Sequence, residues 1–164
     1  MLKNFSTTGL RWLWVAVVVL ALDIFTKTLA LKNLELYEPL YITPFFNLTL
    51  AYNKGAAFSF LNSASGWQSW LLGSLAVFVC FFILTKLKSI AHHQRWMGVA
   101  LALIVGGALG NLHDRIAYGH VIDFLQFHVS HYYWPVFNVA DSAICIGATM
   151  LFLDVVFFRK KKEL

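Results

Sequence analysis

Residues 67–85 have the sequence WQSWLLGSLAVFVCFFILT, a run without a single charged side chain. A helix that crosses a bilayer needs about 20 apolar residues, so this stretch is long enough to span a membrane. Over the whole chain, hydrophobic residues make up 59% and charged residues only 13%, whereas a soluble domain carries about 25% charged residues. The sequence therefore predicts a protein whose surface faces lipid over much of its area.

Three further stretches are similarly apolar, and the four predicted spans cover about residues 10–31, 67–85, 96–112 and 139–158. Because 164 residues suffice for one compact domain, we expect a single domain over 1–164. The first span could instead be a signal peptide. No small-residue cleavage site follows it, however, and the apolar run meets Asp23 and Lys27 instead. A retained helix is therefore predicted.

The basic residues are distributed unequally between the two sides that four spans define. Nine of the 13 lie before the first span, between the second and third, or after the fourth: Lys3, Arg11, Lys86, Lys88, Arg95, Arg159, Lys160, Lys161 and Lys162. Cytoplasmic loops of membrane proteins carry an excess of Lys and Arg, so both termini are predicted to be cytoplasmic. The outer segments are then residues 32–66 and 113–138.

The first outer segment has the character of a small β structure. The stretch Leu40-Tyr-Ile-Thr and the stretch from Phe45 to Tyr52 are aromatic and partly alternate in polarity around Pro44, which is typical of short strands. The predicted fold class is an α-helical integral membrane protein with four transmembrane helices and a small periplasmic β-rich segment between the first two.

Charged side chains inside membrane spans are costly and usually functional. At 1.5 Å per residue, Asp23, Asn111 and Asp141 lie roughly 18–26 Å from the inner ends of their helices, in a hydrocarbon core about 30 Å thick. Polar groups from three spans therefore meet in the outer leaflet. Asp23 and Lys27 have the i, i+4 spacing of an ion pair, for which a structural role is the simpler interpretation. Asp154, near the basic tail, is expected to lie apart from this cluster.

Two motifs supply further polar groups to the same region. In Asn53-Lys-Gly-Ala-Ala-Phe-Ser, Gly55 and the alanines leave room for a neighbouring backbone; a tight turn and a peptide-docking strand are equally compatible with this motif. In the stretch 106–115, small residues allow close helix packing in a membrane. That packing explains the glycines but not the polar residues that occur together at the helix end: Asn111, Asp114 and Arg115.

Asp123 and Asp141 each lie in an apolar setting. Capping of the fourth helix could explain Asp141 but not Asp123. Two carboxylates held together away from water cannot both ionise cheaply, so one keeps its proton, and the pair offers an acid and a base at one pH, as in aspartic proteases. The six histidines form no HExxH motif, and Cys80 and Cys145 stand singly in apolar runs. No metal site and no disulfide is therefore expected.

Taken together, the motifs resemble those of the lipoprotein signal peptidases, the signal peptidase II family of bacterial membrane aspartic proteases. The matching stretches are Asp23-x-x-Thr-Lys27, Asn53-x-Gly-Ala-Ala-Phe-Ser59, Gly107-Ala-Leu-Gly-Asn-x-x-Asp-Arg115, Val121-Ile-Asp123-Phe and Phe137-Asn-Val-Ala-Asp141-Ser. Five motifs in this order, with four spans, cover nearly the whole chain. One departure is His113, where the family more often has an apolar residue.

The resemblance implies that Asp123 and Asp141 are the catalytic pair and that Asp23 and Lys27 are structural. It also implies supporting or substrate-contacting roles for several other residues: Asn53, Gly55, Asn111, Asp114, Arg115 and Asn138. The implied substrate is a prolipoprotein whose cysteine carries diacylglycerol, cut just before that cysteine near the periplasmic face of the bacterial inner membrane. No metal, cofactor, acyl-enzyme or nucleic-acid partner is expected, and the expected form is a monomer.

A small ion- or proton-coupled transporter could use the same carboxylates as a relay. The polar groups cluster at one leaflet, however, and the sequence has neither the internal repeats typical of transporters nor a polar path along the inner halves of the second and third spans. A non-catalytic scaffold protein would leave Asp123, Asp141, Asn111 and Arg115 unexplained. The sequence therefore favours the peptidase.

Overall fold

The computed structural model describes residues 7–55 and 67–158, and these residues include four helices long and apolar enough to cross a membrane. A 3-10 turn, Gly9–Trp12, leads into the first helix. The helices are α1 (Leu13–Asn33), α2 (Trp67–Ser89), α3 (Arg95–Tyr118) and α4 (Val139–Leu153), which continues as a π-helical turn, Asp154–Phe158. The prediction of four membrane helices is confirmed.

Many large apolar side chains on these helices point away from the bundle. Trp14, Phe25, Trp70 and Phe81 are among those exposed, with Trp70 at 76%. Soluble monomers rarely expose large contiguous apolar patches. In a bilayer the same side chains contact lipid, so the exposed faces of the helices agree with their membrane-spanning length.

α3 is the central helix and packs against α1, α2 and α4. Two of its glycines make this packing possible. A Cβ atom at Gly106 would lie 2.8 Å from the Ala16 carbonyl oxygen of α1, and one at Gly107 would collide with the Ala140 carbonyl of α4. Small residues at such positions let membrane helices approach closely. The glycines therefore hold α1 and α4 close to the polar end of α3.

That polar end extends past Leu112, where the third span was predicted to stop. α3 continues to Tyr118 and ends at Gly119, whose φ of +76° is left-handed. Glycine adopts this conformation at no steric cost and is the common residue just after a helix. The added turns keep Asp114 and Arg115 helical and bring Asp114 to the first residues of the next strand, where it accepts a hydrogen bond from Ile122 N.

A four-stranded antiparallel sheet joins the helices at this end of the bundle, in the order β1-β2-β3-β4. The strands are β1 (Pro39–Thr43), β2 (Phe46–Asn53), β3 (Val121–Val129) and β4 (Tyr132–Tyr133). β2 pairs with β3 so that Ala51 lies opposite Asp123 and Asn53 opposite Val121. Strands were expected only between the first two spans; the structure adds β3 and β4 from the second outer segment.

The opposite end of the bundle holds the N-terminal segment and the α2–α3 loop. Gly9 N donates a hydrogen bond to Ile90 O, and His92 N donates one to Thr7 O. The described basic residues at this end are Arg11, Lys86, Lys88 and Arg95. The others assigned to the same side, Lys3 and residues 159–162, lie outside the described residues, as do Ala56, Ala57 and Ser59 of the Asn53 motif.

Candidate active site

A buried lysine organises the polar end of the bundle. Lys27, on α1, is only 2% exposed, and its ammonium lies 2.6 Å from Asp23 Oδ2 and 2.7 Å from Asp114 Oδ2. It also donates to Asn111 Oδ1 at 3.2 Å. A buried charge needs such partners, since an unpaired one would be very costly. The pair predicted from the i, i+4 spacing is therefore part of a larger network that also includes α3.

The two aspartates of this network extend it to the remaining elements. Asp23 Oδ1 accepts a hydrogen bond of 2.8 Å from Ala140 N at the start of α4. Asp114 Oδ2 accepts one of 3.1 Å from Ile122 N in β3. Both amides belong to residues directly beside a candidate catalytic aspartate. The ion network thus fixes the backbone next to Asp123 and next to Asp141.

Asn138 links the two candidate catalytic aspartates. It is fully buried and is the N-cap of α4, because its Oδ1 accepts a 2.8 Å hydrogen bond from Asp141 N. Asn is among the preferred residues at this position. Its side-chain amide nitrogen lies 2.7 Å from Asp123 Oδ1 and 3.1 Å from Asn111 Oδ1. One residue therefore starts the helix that bears Asp141 and holds the carboxylate of Asp123.

Asp123 projects from β3 into a buried, polar environment. Asn53 Nδ2 of β2 donates to its Oδ2 at 3.1 Å, while Asn138 holds the other oxygen. Burial, followed by the nearby charge of Asp141, raises the pKa of Asp123 from 3.8 to about 7; the hydrogen bonds from the two asparagines act in the opposite direction. Asp123 is therefore able to hold a proton near neutral pH.

Asp141 lies in the first turn of α4, where the helix dipole favours a negative charge. Its Oδ1 accepts a 2.7 Å hydrogen bond from Asn111 Nδ2. Arg115, one turn after Asn111 on α3, donates to Asn111 O at 3.2 Å. The Nε atom of Arg115 is buried and has no hydrogen-bond partner within the described ranges. Each carboxylate is thus held by at least one asparagine, with a guanidinium nearby.

Both aspartates open into one cavity of about 690 Å³ between the sheet and the ends of α3 and α4. The cavity contains most of the residues that the sequence assigned to a site: Asn53, Gly55, Asn111, Arg115, Asp123 and Asp141. Asn138 and Asp114 do not line the cavity: Asn138 donates to the lining residue Asp123, and Asp114 accepts from Ile122 N, next to Asp123 in β3. Gly55 N donates to Asn53 Oδ1 at 3.0 Å, a turn that orients the Asn53 amide toward Asp123.

Several lining residues were not predicted from the sequence. They are one polar residue, Gln126, and a group of aromatic residues: Tyr37, Tyr52, Tyr133, Trp134 and Phe137. Gln126 follows Asp123 by three residues on β3. This spacing places side chains on opposite faces of a regular strand, so strand periodicity would not have pointed to Gln126. The aromatic residues come from separate loops and strands. Phe137 begins the motif Phe137-Asn-Val-Ala-Asp141-Ser, and no local motif marks the others.

His113 lies at the edge of the ion network rather than in the cavity lining. Its Nδ1 is 3.3 Å from Asp114 Oδ1, and its side chain is partly exposed. Asp154 lies in the π-helical turn at the far end of α4, away from the cavity, as expected. No group of three or more His, Cys, Asp or Glu within the described part of the chain has the arrangement of a metal site.

The arrangement has the components of acid–base chemistry on a peptide bond. Two carboxylates open into one cavity, and one of them titrates near neutral pH. An ionised carboxylate can take a proton from water, and a protonated one can donate a hydrogen bond to a carbonyl oxygen. Fold and site together define a multi-pass membrane protein with a buried carboxylate pair at one end of its helices.

Comparison with known proteins identifies the family. A family model described as signal peptidase (SPase) II matches residues 15–157. A lipoprotein signal peptidase of Alteromonas mediterranea is 49% identical over 99% of this chain and 90% of its own length. One of Pseudoalteromonas atlantica is 52% identical over 94% of both chains. This chain therefore belongs to the signal peptidase II family, and it is an aspartic endopeptidase.

Solved structures agree with this assignment. Two are described as bacterial membrane enzymes determined by the in meso method, at 2.3 Å and 1.9 Å resolution. The first superimposes with a TM-score of 0.78 at 28% identity, covering 91% of this chain and 92% of that one. The second gives a TM-score of 0.80 at 25% identity, with coverages of 94% and 99%. The transporter alternative is accordingly not favoured.

Proposed function

We propose that the substrates of this chain are prolipoproteins whose cysteine carries a diacylglyceryl group, and that cleavage occurs just before that cysteine. Asp123 and Asp141 form the catalytic pair in this proposal. The observation that carries it is that both carboxylates open into one cavity and are each held by an asparagine amide. The relatives named lipoprotein signal peptidase support the substrate class.

In the proposed mechanism, Asp123 holds the proton and Asp141 is ionised. Asp141 accepts a proton from water as the water oxygen attacks the scissile carbonyl carbon, while Asp123 donates a hydrogen bond to the carbonyl oxygen. The tetrahedral intermediate then collapses, the C–N bond breaks, and a carboxyl proton passes to the leaving amine. The assignment of the acid to Asp123 follows from its pKa of about 7, which leaves a protonated fraction at neutral pH.

The other residues have positioning roles in this proposal. Asn53 and Asn138 orient Asp123, and Asn111 orients Asp141. Arg115 places a positive charge beside both aspartates, where it can stabilise negative charge that develops on the substrate carbonyl. The ions Asp23, Lys27 and Asp114 hold the backbone of α4 and β3, and Gly55 shapes the turn that orients Asn53.

The proposed location is the bacterial inner membrane, with both termini on the cytoplasmic side and the cavity near the periplasmic face. Diacylglycerol would hold the scissile bond at the outer leaflet, the depth expected for the aspartates. Residues 1–164 would act as a single catalytic domain, as a monomer, on membrane-anchored substrates and without a nucleic-acid partner.

The experiment is cleavage of a diacylglyceryl-modified precursor by the purified protein in liposomes, with the same precursor lacking the lipid as a control. Cleavage of the lipidated precursor alone, directly before the cysteine, is expected. Equal rates on both precursors would overturn the lipid requirement while leaving the peptidase assignment intact. A cut elsewhere in the chain would overturn the proposed site of cleavage.

A further inference from the structure

Gln126 lies in the catalytic cavity but outside the asparagine network that holds the two aspartates. Its side-chain Oε1 accepts a 3.0 Å hydrogen bond from Thr49 Oγ1 of the neighbouring strand. Thr49 is only 7% exposed, so this hydrogen bond lies in a buried part of the sheet. This bond fixes the orientation of the amide, with its oxygen directed toward β2.

The amide nitrogen of Gln126 is left for another partner. A primary amide has two N–H donors, and within the described ranges no protein atom accepts from Gln126 Nε2. The nitrogen is not among the buried polar atoms that lack partners, and Gln126 lines the cavity. An oriented donor is thus available to a molecule that enters the catalytic cavity.

The distance along β3 between Asp123 and Gln126 equals the length of about three residues of an extended peptide. Both residues lie on β3, three positions apart, which at about 3.3 Å per residue is roughly 10 Å. A substrate bound in an extended conformation has a similar rise per residue. With its scissile bond at the aspartates, it would therefore bring a backbone carbonyl to Gln126 about three residues from the cut.

The course of β3 indicates which side of the cut this is. Its beginning is attached to the helices, through Asp114 to Ile122 and Asn138 to Asp123. Its far half forms the hairpin with β4, whose Tyr132 is 84% exposed. A lipidated cysteine is held at the membrane, and the chain that follows it leads away from the membrane. A substrate whose mature part follows this hairpin would run from Asp123 toward Gln126 after the cysteine.

We propose that Gln126 is a substrate-binding residue, which donates a hydrogen bond from Nε2 to a backbone carbonyl of the mature part of the substrate, about three residues after the cleavage site. The inference rests on the proposed function, because it takes a peptide cut at Asp123 and Asp141 as the ligand. A backbone carbonyl is present in every sequence, so the contact selects for an extended chain at this position and not for a side chain.

The test compares Gln126→Met with the wild type on two lipidated precursors. One precursor ends at the lipidated cysteine itself and the other about eight residues after it, so only the longer one reaches Gln126. Methionine has a similar length and shape but no N–H. Loss of one neutral hydrogen bond is expected to raise KM for the longer precursor about three- to tenfold, with kcat unchanged and both constants unchanged for the shorter one.

Two further variants isolate the effect of the missing N–H donor, and the wild type separates this proposal from the proposed function. Gln126→Glu retains an acceptor for Thr49 but lacks the N–H, so it should raise KM for the longer precursor as Gln126→Met does. Thr49→Val should give a smaller effect in the same direction. An unchanged KM for the longer precursor, or equal losses on both precursors, would overturn the role of Gln126. Failure of the wild type to cleave either precursor would instead overturn the proposed function.

Discussion

Asn138 Nδ2 donates a hydrogen bond of 2.7 Å to Asp123 Oδ1, although the two residues belong to different elements, the start of α4 and the first residues of β3. The Oδ1 atom of the same asparagine accepts a hydrogen bond from Asp141 N. The positions of both aspartates therefore depend on one buried side chain. Substitution of Asn138 therefore tests whether the relative position of Asp123 and Asp141 matters for cleavage.

Substitution of Asn138 should separate helix capping from the orientation of Asp123. Asn138→Asp keeps an N-cap acceptor for α4 but replaces the donor that faces Asp123. Asn138→Ala removes both and loses about 1 kcal/mol from the cap as well. We expect both variants to lower the cleavage rate, with thermal stability in detergent reduced mainly in Asn138→Ala. Full activity of a stable Asn138→Asp would show that the donor has no role in catalysis.

Removal of the buried lysine should destabilise the protein strongly. Lys27→Met leaves Asp23 and Asp114 buried without their cation, and breaking a buried ion pair costs about 3–5 kcal/mol. The measurement is the unfolding midpoint of the purified protein in detergent. The matched control is the triple variant Asp23→Asn, Lys27→Met and Asp114→Asn, in which no unpaired charge remains. It should recover much of the lost stability; a triple variant no more stable than Lys27→Met would contradict a role for the charges.

The cleavage rate should fall as pH rises above about 7. In the proposed mechanism Asp123 must be protonated, and burial with the nearby Asp141 charge raises its pKa to about 7. Above that pH the protonated fraction decreases about tenfold per unit, so kcat/KM should decrease with the same slope. A rate that stays constant from about pH 6 to about pH 9 would contradict the assignment of Asp123 as the acid.

Stability should depend on pH through the same residue. Because the pKa of Asp123 is raised on folding, from 3.8 to about 7, its stabilising contribution is full below the unfolded value and is lost as pH rises through the folded value. Asp123→Asn has no proton to lose. The unfolding midpoint of the wild type should therefore drop relative to Asp123→Asn as pH rises from about 4 to about 7. A constant difference between the two proteins over this range would argue against the raised pKa.

Topology can be tested with single cysteines in a chain whose Cys80 and Cys145 are replaced. Ser130 lies in the turn between β3 and β4 at the sheet end of the bundle, and Ser89 ends α2 at the other end. A membrane-impermeant thiol reagent should label a cysteine at position 130 in intact cells but not one at position 89. The opposite pattern would invert the proposed orientation and separate the cavity from an outer-leaflet substrate.

Several features of this fold could be predicted from composition and spacing. Four uninterrupted apolar stretches predict the helices, because few other structures accommodate about 20 apolar residues in sequence. Asp23, Lys27, Asn111 and Asp141 stand out because polar side chains are rare in such stretches. Their similar distances from the inner ends of their helices predict that they lie close together, because side chains at one depth in a small bundle are neighbours.

Other features could not be predicted, because they depend on contacts between residues distant in sequence. β2 and β3 pair across about 70 residues, with Ala51 opposite Asp123, and a single sequence carries no signal of that register. The hydrogen bond between Thr49 and Gln126 in the cavity depends on this pairing. The stretch 113–118 falls in the predicted outer segment 113–138, but Asp114 contacts Lys27 inside the bundle and the helix continues to Tyr118.

The two-aspartate mechanism is tested most directly by the rate at which variants cleave the lipidated precursor in liposomes. The variants are Asp123→Asn, Asp141→Asn and the double variant, with Asp154→Asn as the control. Asparagine keeps the side-chain shape and removes the titratable proton. Each single variant should cleave the lipidated precursor about 100- to 10,000-fold more slowly than the wild type, the double variant should be little slower than either single variant, and Asp154→Asn should retain most activity. Substantial turnover by a folded Asp123→Asn or Asp141→Asn protein would contradict the two-aspartate mechanism.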